Sequence, residues 1–396
     1  MEIDYINGPR TDKVFGMSKY QMEIFKRIEG VEWNFIEYDS LLKIMENKYN
    51  SIFSSKSSDE EESLGMFHAL DKTESFSQNK IFKGIIDRAW KTCMYIDTYR
   101  YRQTVKKSIK EDNVKHLTYQ ELAYLLKYVK MDKTIVTCHD IIPWAYDNDR
   151  SRLWKNIMTG LRNADRIITI SEFSKNELVK YLNYPADRIH IVKDAVDHDV
   201  YYKNRDKGIL RTLNLLNDES IVLYVGSETP RQNLPVLIKA FSKLKKKIPN
   251  IKLVKIGESQ SYGARETLLK LINDLDLQED VIFVGYVPEE YMPKWYNAAD
   301  VLVYPCEYAG FGLPPLEAMA CGTPVITSNT TSLPEVVGDA GIMIDPHDVD
   351  LMADKIYEIL INNGLRDDLV KKGIERAKLF KWDDAAHKTR KIYDIF

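Results

Sequence analysis

Three side chains in this sequence stand where chemistry can be done: Glu317, Arg231 and His139. Glu317 follows a glycine-containing loop and a proline pair in Gly310-Phe311-Gly312-Leu313-Pro314-Pro315-Leu316-Glu317. The prolines stand where a helix begins and Gly322 where one ends, which predicts Glu317 in a first helical turn. A carboxylate there either favours its own helix N-terminus or accepts hydrogen bonds from two neighbouring sugar hydroxyls. Charge-assisted bonds of the second kind contribute about 1.5–3 kcal/mol each. The same helix end offers N–H groups and a dipole that favour an anion by roughly 0.3–1 kcal/mol. Arg231 precedes the helical repeat Leu234, Leu237, Ile238, Phe241 and Leu244, with Asn233 predicted as N-cap. It is either placed for a diphosphate or a plain surface arginine. His139 closes the apolar run Thr134 to Cys138, at the strand end where α/β proteins bind ligands. Asp140 either orients that ring or caps the next segment.

The elements around these residues repeat as strand and helix. Ile3 to Ile6 runs into Asn7-Gly8-Pro9, then Gly16 opens a helix-spaced run from Met17 to Ile28. Arg166 to Ile170 and Arg188 to Val192 read as strands. Between them, Ser174 to Glu177 predicts a capping box stapled by Phe173 and Leu178. Ile221 to Val225 is continuously apolar, as in a parallel sheet covered on both faces. Strands follow at Leu253 to Gly257, Val281 to Gly285, Val301 to Tyr304 and Val325 to Thr327. A terminal helix runs from Trp382 to Ile395, and the lysines 245 to 247 read as a solvated helix end. Ser51 to Ser63 is serine-rich and acidic and reads as a surface loop. Residues 80–130 are helical, aromatic and basic, with Trp90, Tyr95, Tyr99, Tyr101, Lys106 and Lys107 close together. They form either an ordinary helix pair against a sheet or a surface for an anionic membrane.

The 396 residues suggest about two or three domains. A net charge of −3 implies no general affinity for nucleic acid. Cys93, Cys138, Cys306 and Cys321 form no C-x-x-C pair, which predicts free thiols in a reducing compartment rather than a zinc cage. Glu2, Asp4 and Arg10 interrupt any signal-peptide pattern, and no apolar run reaches the roughly 18 residues a spanning helix needs. A cytoplasmic protein is expected, with peripheral contact at the inner membrane face as the open alternative.

The stretch Gly310 to Ala318 resembles the donor-site signature of retaining glycosyltransferases of family 4, which have the GT-B fold. The likeness continues through Gly16-Met17-Ser18-Lys19-Tyr20, His139-Asp140-Ile141-Ile142-Pro143, Asp194-Ala195-Val196-Asp197, Gly226 to Asn233, Gly285-Tyr286-Val287 and Ser332 to Val336. It implies two Rossmann-like parallel-sheet domains facing a central cleft. Residues 1–197 would bind acceptor, 198–380 would bind the nucleotide-sugar donor, and the helix over 381–396 would cross back. By resemblance, Glu317 holds the donor ribose, and Gly310, Phe311, Gly312 and Leu313 lie along the sugar and phosphates. Gly16, Gly226, Ser227, Glu228, Arg231 and Gln232 complete the donor side, with Val287 at the base and His139 and Asp140 as the catalytic pair. Two positions depart from the pattern. A glutamate expected eight residues before Glu317 is Ala309, with Glu307 nearby out of register, and a phosphate-binding lysine is Gln232.

The resemblance implies a hexosyltransferase, of mannose or glucose type, that retains anomeric configuration and needs no metal or other cofactor beyond the nucleotide-diphosphate sugar. Its acceptor would be a glycan, a lipid-linked sugar or a small molecule. The Asp-x-Asp pairs at 147/149, 197/199, 274/276 and 348/350 follow no apolar strand directly, which sets a metal-dependent GT-A enzyme aside. Ala309 and Gln232 motivate a second reading, a catalytically weak sugar- or nucleotide-binding subunit. A nucleotide-sugar epimerase on the same fold fits residues 307–322 less well.

Overall fold

A computed structural model describes residues 1–9, 16–38, 40, 80–204, 206–215, 219–260 and 263–396. The serine-rich stretch Ser51 to Ser63 lies outside them. Two sheets of six strands form the frame. The first contains β1 (Glu2–Pro9), β2 (Glu32–Tyr38), β3 (Val114–Leu117), β4 (Thr134–Thr137), β5 (Arg166–Thr169) and β6 (Ile189–Ile191), in the order β2-β1-β3-β4-β5-β6. The second contains β7 (Ser220–Val225), β8 (Ile251–Ile256), β9 (Val281–Gly285), β10 (Val301–Tyr304), β11 (Val325–Ser328) and β12 (Ile342–Ile344), in the order β12-β11-β10-β7-β8-β9. The pairings described run parallel, and strands such as β7 and β10, covered on both faces, read as short apolar runs rather than alternating ones. The longer helices are α1 (Gly16–Arg27), α2 (Lys80–Ser108), α3 (Arg152–Asn163), α4 (Glu172–Leu182), α5 (Leu234–Lys245), α6 (Ala264–Asp274), α7 (Leu313–Ala320), α8 (Val349–Ile361), α9 (Asn363–Ala377) and α10 (Trp382–Tyr393).

The chain divides into two compact units. One comprises Met1–Lys13, Gly30–Thr137 and Lys155–Arg166. Within it Asp165 fastens the start of β4, accepting from the Thr134 N–H at 2.8 Å and its hydroxyl at 2.9 Å. Gly160 of α3 lies so close to Ala123 that a Cβ would fall 1.7 Å from its carbonyl oxygen. On α2, Tyr95, Ile96 and Tyr99 are exposed.

The other unit comprises Val14–Glu29, Cys138–Trp154 and Ile167–Phe396. Its core lies around the second sheet, where Val222, Leu253 and Val303 pack with Leu237, Phe241, Ile356 and Ile359 of the covering helices. Burying each such side chain stabilises the fold by about 1.5–3 kcal/mol. In this unit α1 packs on α10, and Tyr20 meets Trp382 edge-on at 5.9 Å.

Three helix starts differ from the sequence expectation. The cap of α4 is Ser171, whose hydroxyl accepts from the Ser174 N–H, so Ser174 lies inside the helix. Ser171 takes it because its backbone is extended, as an N-cap requires. Helix α7 begins at Leu313, ahead of the proline pair, since proline is tolerated throughout a first turn. Glu317 therefore sits in the second turn, not the first. Asn233 precedes α5 but does not cap it with its side chain, which donates instead to the Pro346 carbonyl at 2.6 Å.

Candidate functional site

The loop that leads into α7 is held by hydroxyls. Ser332 Oγ donates to the carbonyls of Ala309 and Phe311, both at 2.8 Å, and Ser171 Oγ donates to that of Gly310 at 2.8 Å. Phe311 is buried edge-on against Phe380. Three consecutive carbonyls are thus satisfied by side chains. The N–H groups of Gly310, Phe311 and Gly312 have no protein acceptor among the described residues. A loop in that state offers donors to a ligand.

Against this loop lies the His139–Asp140 pair. A Cβ on Gly310 would fall 3.0 Å from the Asp140 Cβ and 3.2 Å from the His139 carbonyl oxygen, so glycine eases an approach that a side chain would crowd. Ser174 Oγ donates to that His139 carbonyl at 3.1 Å, which joins α4 to the same point. The His139 ring is buried and meets Tyr20 edge-on at 5.0 Å. Burial pushes its pKa down to about 4, so the imidazole is neutral at ordinary pH. It suits hydrogen bonding rather than service as a charged acid. The Asp140 pKa is raised by burial, while the Ile142 N–H and the Arg231 charge pull it back.

Arg231 is pinned beside the same loop. Its Nη1 donates to the Tyr308 carbonyl at 3.1 Å, and its own carbonyl accepts from the Glu307 N–H at 2.8 Å. Next to it Gln232 is buried, with its Oε1 accepting from Tyr224 at 3.1 Å. The amide sits where a tyrosine needs an acceptor, which a lysine would not supply. Tyr224 also lies 3.0 Å from the Ser227 carbonyl, so the turn at Gly226 and Ser227 closes over its hydroxyl. Ala309 packs in a small buried cluster with Tyr304, Cys306 and Leu333. Glu307 does not reach into that cluster. Its Oε2 accepts from Tyr146 at 2.5 Å, and its Oε1 lies 3.6 Å from His347 Nε2.

Glu317 stands at the centre of a second group. Lys19 Nζ donates to its Oε1 at 2.8 Å and Tyr296 to its Oε2 at 2.8 Å. Lys19 also pairs with Glu289, which accepts from Tyr201 at 2.7 Å. Burial lowers the Lys19 pKa, but Glu317 and Glu289 outweigh it and hold the pKa above the usual lysine value. Asp194 faces the same charges and is fully buried, with no partner described for its Oδ1. Burial pushes its pKa up to about 7, with Glu317 adding to the rise and Lys19 opposing it. Glu228 is buried as well and accepts from Lys255 at 2.7 Å and from Arg265. Gly16 opens α1, which carries Lys19, and Val287 is half-buried after β9.

Sequence reasoning placed Lys19 in a motif but missed its bond to Glu317. It also missed Tyr296, Lys255 and Arg265. A signal for Lys255 was present: a charged residue interrupts the apolar strand Ile251-Lys252-Leu253-Val254-Lys255-Ile256. Among the described residues, no three His, Cys, Asp or Glu side chains are grouped to hold a metal ion, and no helix is long and apolar enough to cross a membrane.

Comparison with known proteins agrees with this architecture. The family model described as "Glycosyl transferases group 1" matches residues 208–376, and that described as "Glycosyltransferase Family 4" matches residues 77–200. O-antigen chain mannosyltransferase B of Escherichia coli is 36% identical over 273 residues, covering 67% of this chain and 71% of that protein. Serotype-specific mannosyltransferase WbdA of Escherichia coli is 30% identical over 64% of this chain, which spans only 32% of that longer protein. Among solved structures, HepE of Anabaena in complex with UDP and glucose superposes with a TM-score of 0.72 at 14% identity, over 99% of both chains. Sucrose-phosphate synthase of Thermosynechococcus elongatus gives 0.70 at 21% identity, over 99% of this chain and 98% of that one. At such identities these two likenesses speak to the fold.

Proposed function

The chain belongs to the family 4 glycosyltransferases of GT-B type, and from that premise we propose that it is a retaining, metal-independent hexosyltransferase using a nucleotide-diphosphate sugar. The hexose we favour is mannose, since the relatives matched include two named as mannosyltransferases. The acceptor is a growing glycan or lipid-linked sugar. Residues 1–197 carry acceptor recognition, residues 198–380 carry the donor, and the helix over 381–396 completes the arrangement. Exposed Tyr95, Ile96 and Tyr99 on α2, with Lys106 and Lys107 in its last turn, support peripheral contact with an anionic membrane face. This favours a cytoplasmic site of action.

The observation that carries the reading is the loop over 309–312, with the carbonyls of Ala309, Gly310 and Phe311 bound by serine hydroxyls and the N–H groups of Gly310, Phe311 and Gly312 left for a ligand. In the reaction, the bond from the anomeric carbon to the departing diphosphate breaks and one to an acceptor hydroxyl oxygen forms, with the hydroxyl proton passing to the departing diphosphate. Negative charge grows on the diphosphate, where N–H groups and the Arg231 charge stabilise it. The neutral His139 hydrogen-bonds the sugar, and Asp140 holds the backbone turn behind it through the Ile142 N–H. Glu317 receives the ribose hydroxyls.

The buried, apolar setting of Ala309 favours a second reading, a donor-binding subunit with weak catalysis. Transfer assays separate the two. Purified protein is given GDP-, UDP- and ADP-hexoses with a mannan-type oligosaccharide, with and without EDTA, and the product's anomeric configuration is read by proton NMR. The enzyme reading expects transfer from one donor, unaffected by EDTA, with configuration kept. Donor binding without transfer or hydrolysis would support the subunit instead.

A further inference from the structure

At the C-terminal edge of the second sheet, β7, β8 and β9 end in glycines that are stitched together. The Gly226 N–H donates to the Ile256 carbonyl at 3.0 Å and the Gly257 N–H to the Gly285 carbonyl at 2.7 Å. Gly257 has φ +117, and a Cβ there would fall 2.4 Å from the Gly226 carbonyl oxygen. Gly285 has φ +81, with nothing within 4 Å of where a Cβ would stand. The result is a ledge of backbone, at the strand ends where α/β sheets bind ligands.

Beside the ledge stands an arginine that the fold does not need for charge balance. Lys255 has a side chain with 0% exposure, and Glu228 already compensates it at 2.7 Å, with the Gly257 carbonyl taking a further bond at 2.6 Å. Arg265 adds a second cation to this closed pair, with 32% of its side chain exposed. Its Nε lies 3.0 Å and 2.9 Å from the two Glu228 oxygens, and its Nη2 also donates to Oε1. The guanidinium lies 4.1 Å from the centroid of the Phe283 ring. Fixing so long a side chain in one pose carries a rotamer-entropy cost. The fork that would grip a phosphate is taken up by Glu228. What remains is the outer face of the plane and the Nη1 edge, for which no protein partner is described.

We propose that Arg265, held between Glu228 and Phe283, is the platform on which the base of the donor nucleotide stacks. The proposal rests on the nucleotide-sugar reading above and deepens it by naming a residue that positions the base. A planar heterocycle suits the exposed face through stacking and cation–π attraction. The free Nη1 donors can meet a ring carbonyl, so Arg265 also weighs one base against another.

The test is calorimetric titration of the full chain with GDP, UDP, ADP and inorganic pyrophosphate. Arg265→Lys keeps a charge for Glu228 but loses the plane. For it, affinity for the preferred nucleoside diphosphate should fall about 10-fold, and pyrophosphate affinity should not change. The donor KM should rise with kcat little altered. Phe283→Leu, which removes the support beneath the guanidinium, should give a smaller loss in the same direction. Unchanged nucleoside diphosphate affinity in folded Arg265→Lys would overturn the proposal and leave the donor reading intact. An equal loss for pyrophosphate would overturn it too, by making Arg265 a phosphate ligand. A wild-type chain that binds none of the three nucleoside diphosphates would overturn both.

Discussion

Glu317 and Glu228 are both buried carboxylates that hold a buried lysine, yet they are assembled differently. Glu228 meets Lys255 from 27 positions away, and Arg265 completes the pair from the next helix. Glu317 meets Lys19 from 298 positions away, and a phenol takes its other oxygen. The Glu228 centre is a local brace, closed by two cations. The Glu317 centre exists only when α1 is docked, and it uses two of the roughly four acceptor sites a carboxylate has. The Glu228 carboxylate is saturated by its protein partners, while the Glu317 carboxylate retains acceptor capacity.

The largest effect should come from breaking the saturated centre. Glu228→Ala leaves Lys255 buried without a counter-charge and should cost about 3–5 kcal/mol of unfolding free energy. Denaturant melts measure it. Adding Lys255→Met should recover most of the loss, and a double mutant no more stable than Glu228→Ala would contradict the brace.

The next effect depends on pH and belongs to Asp194, the third acid of the Glu317 centre. Burial pushes its pKa up to about 7 in the native state, against an ordinary value of 3.8. Between those values the unfolded chain has lost a proton that the native chain keeps, so stability falls as pH rises and the loss is complete above pH 7. Asp194→Asn removes this burden. It should stabilise the protein by up to a few kcal/mol at pH 8 and much less at pH 5, read from melting temperatures at both. Equal shifts at the two pH values would rule out an ionised Asp194 as the cause. His139 works in the opposite sense. Its native pKa of about 4 lies below 6.5, so its share of stability is lost as pH falls through that window.

A smaller effect is expected at Lys19. Lys19→Met leaves Glu317 with Tyr296 alone and should cost about 1–3 kcal/mol. That is less than at Glu228 because Glu317 keeps one bond. A loss as large as that of Glu228→Ala would erase the distinction between the two centres.

The same contrast explains what the sequence could reveal. Strands such as Val301–Tyr304 and Val325–Ser328 were legible because burial on both faces leaves short apolar runs. The Gly310–Glu317 stretch was legible as a loop and helix start because glycine and proline have few backbone roles. Its helix began earlier than expected because proline is tolerated anywhere in a first turn. The Lys19–Glu317 bond was not legible, since local spacing carries no information across 298 positions. The cap at Ser171 was missed because Ser174 and Glu177 mimic a capping box, while the extended backbone that decides the cap is set by β5 just before it.

The account turns on Glu317 holding ribose with its remaining acceptor capacity. Titration of nucleoside diphosphate into wild type and Glu317→Ala, with folding checked by melting, tests that directly. Loss of a charge-assisted bond worth about 1.5–3 kcal/mol predicts affinity lower by about 10- to 150-fold. Equal affinity in a folded Glu317→Ala protein would show that Glu317 is only a brace.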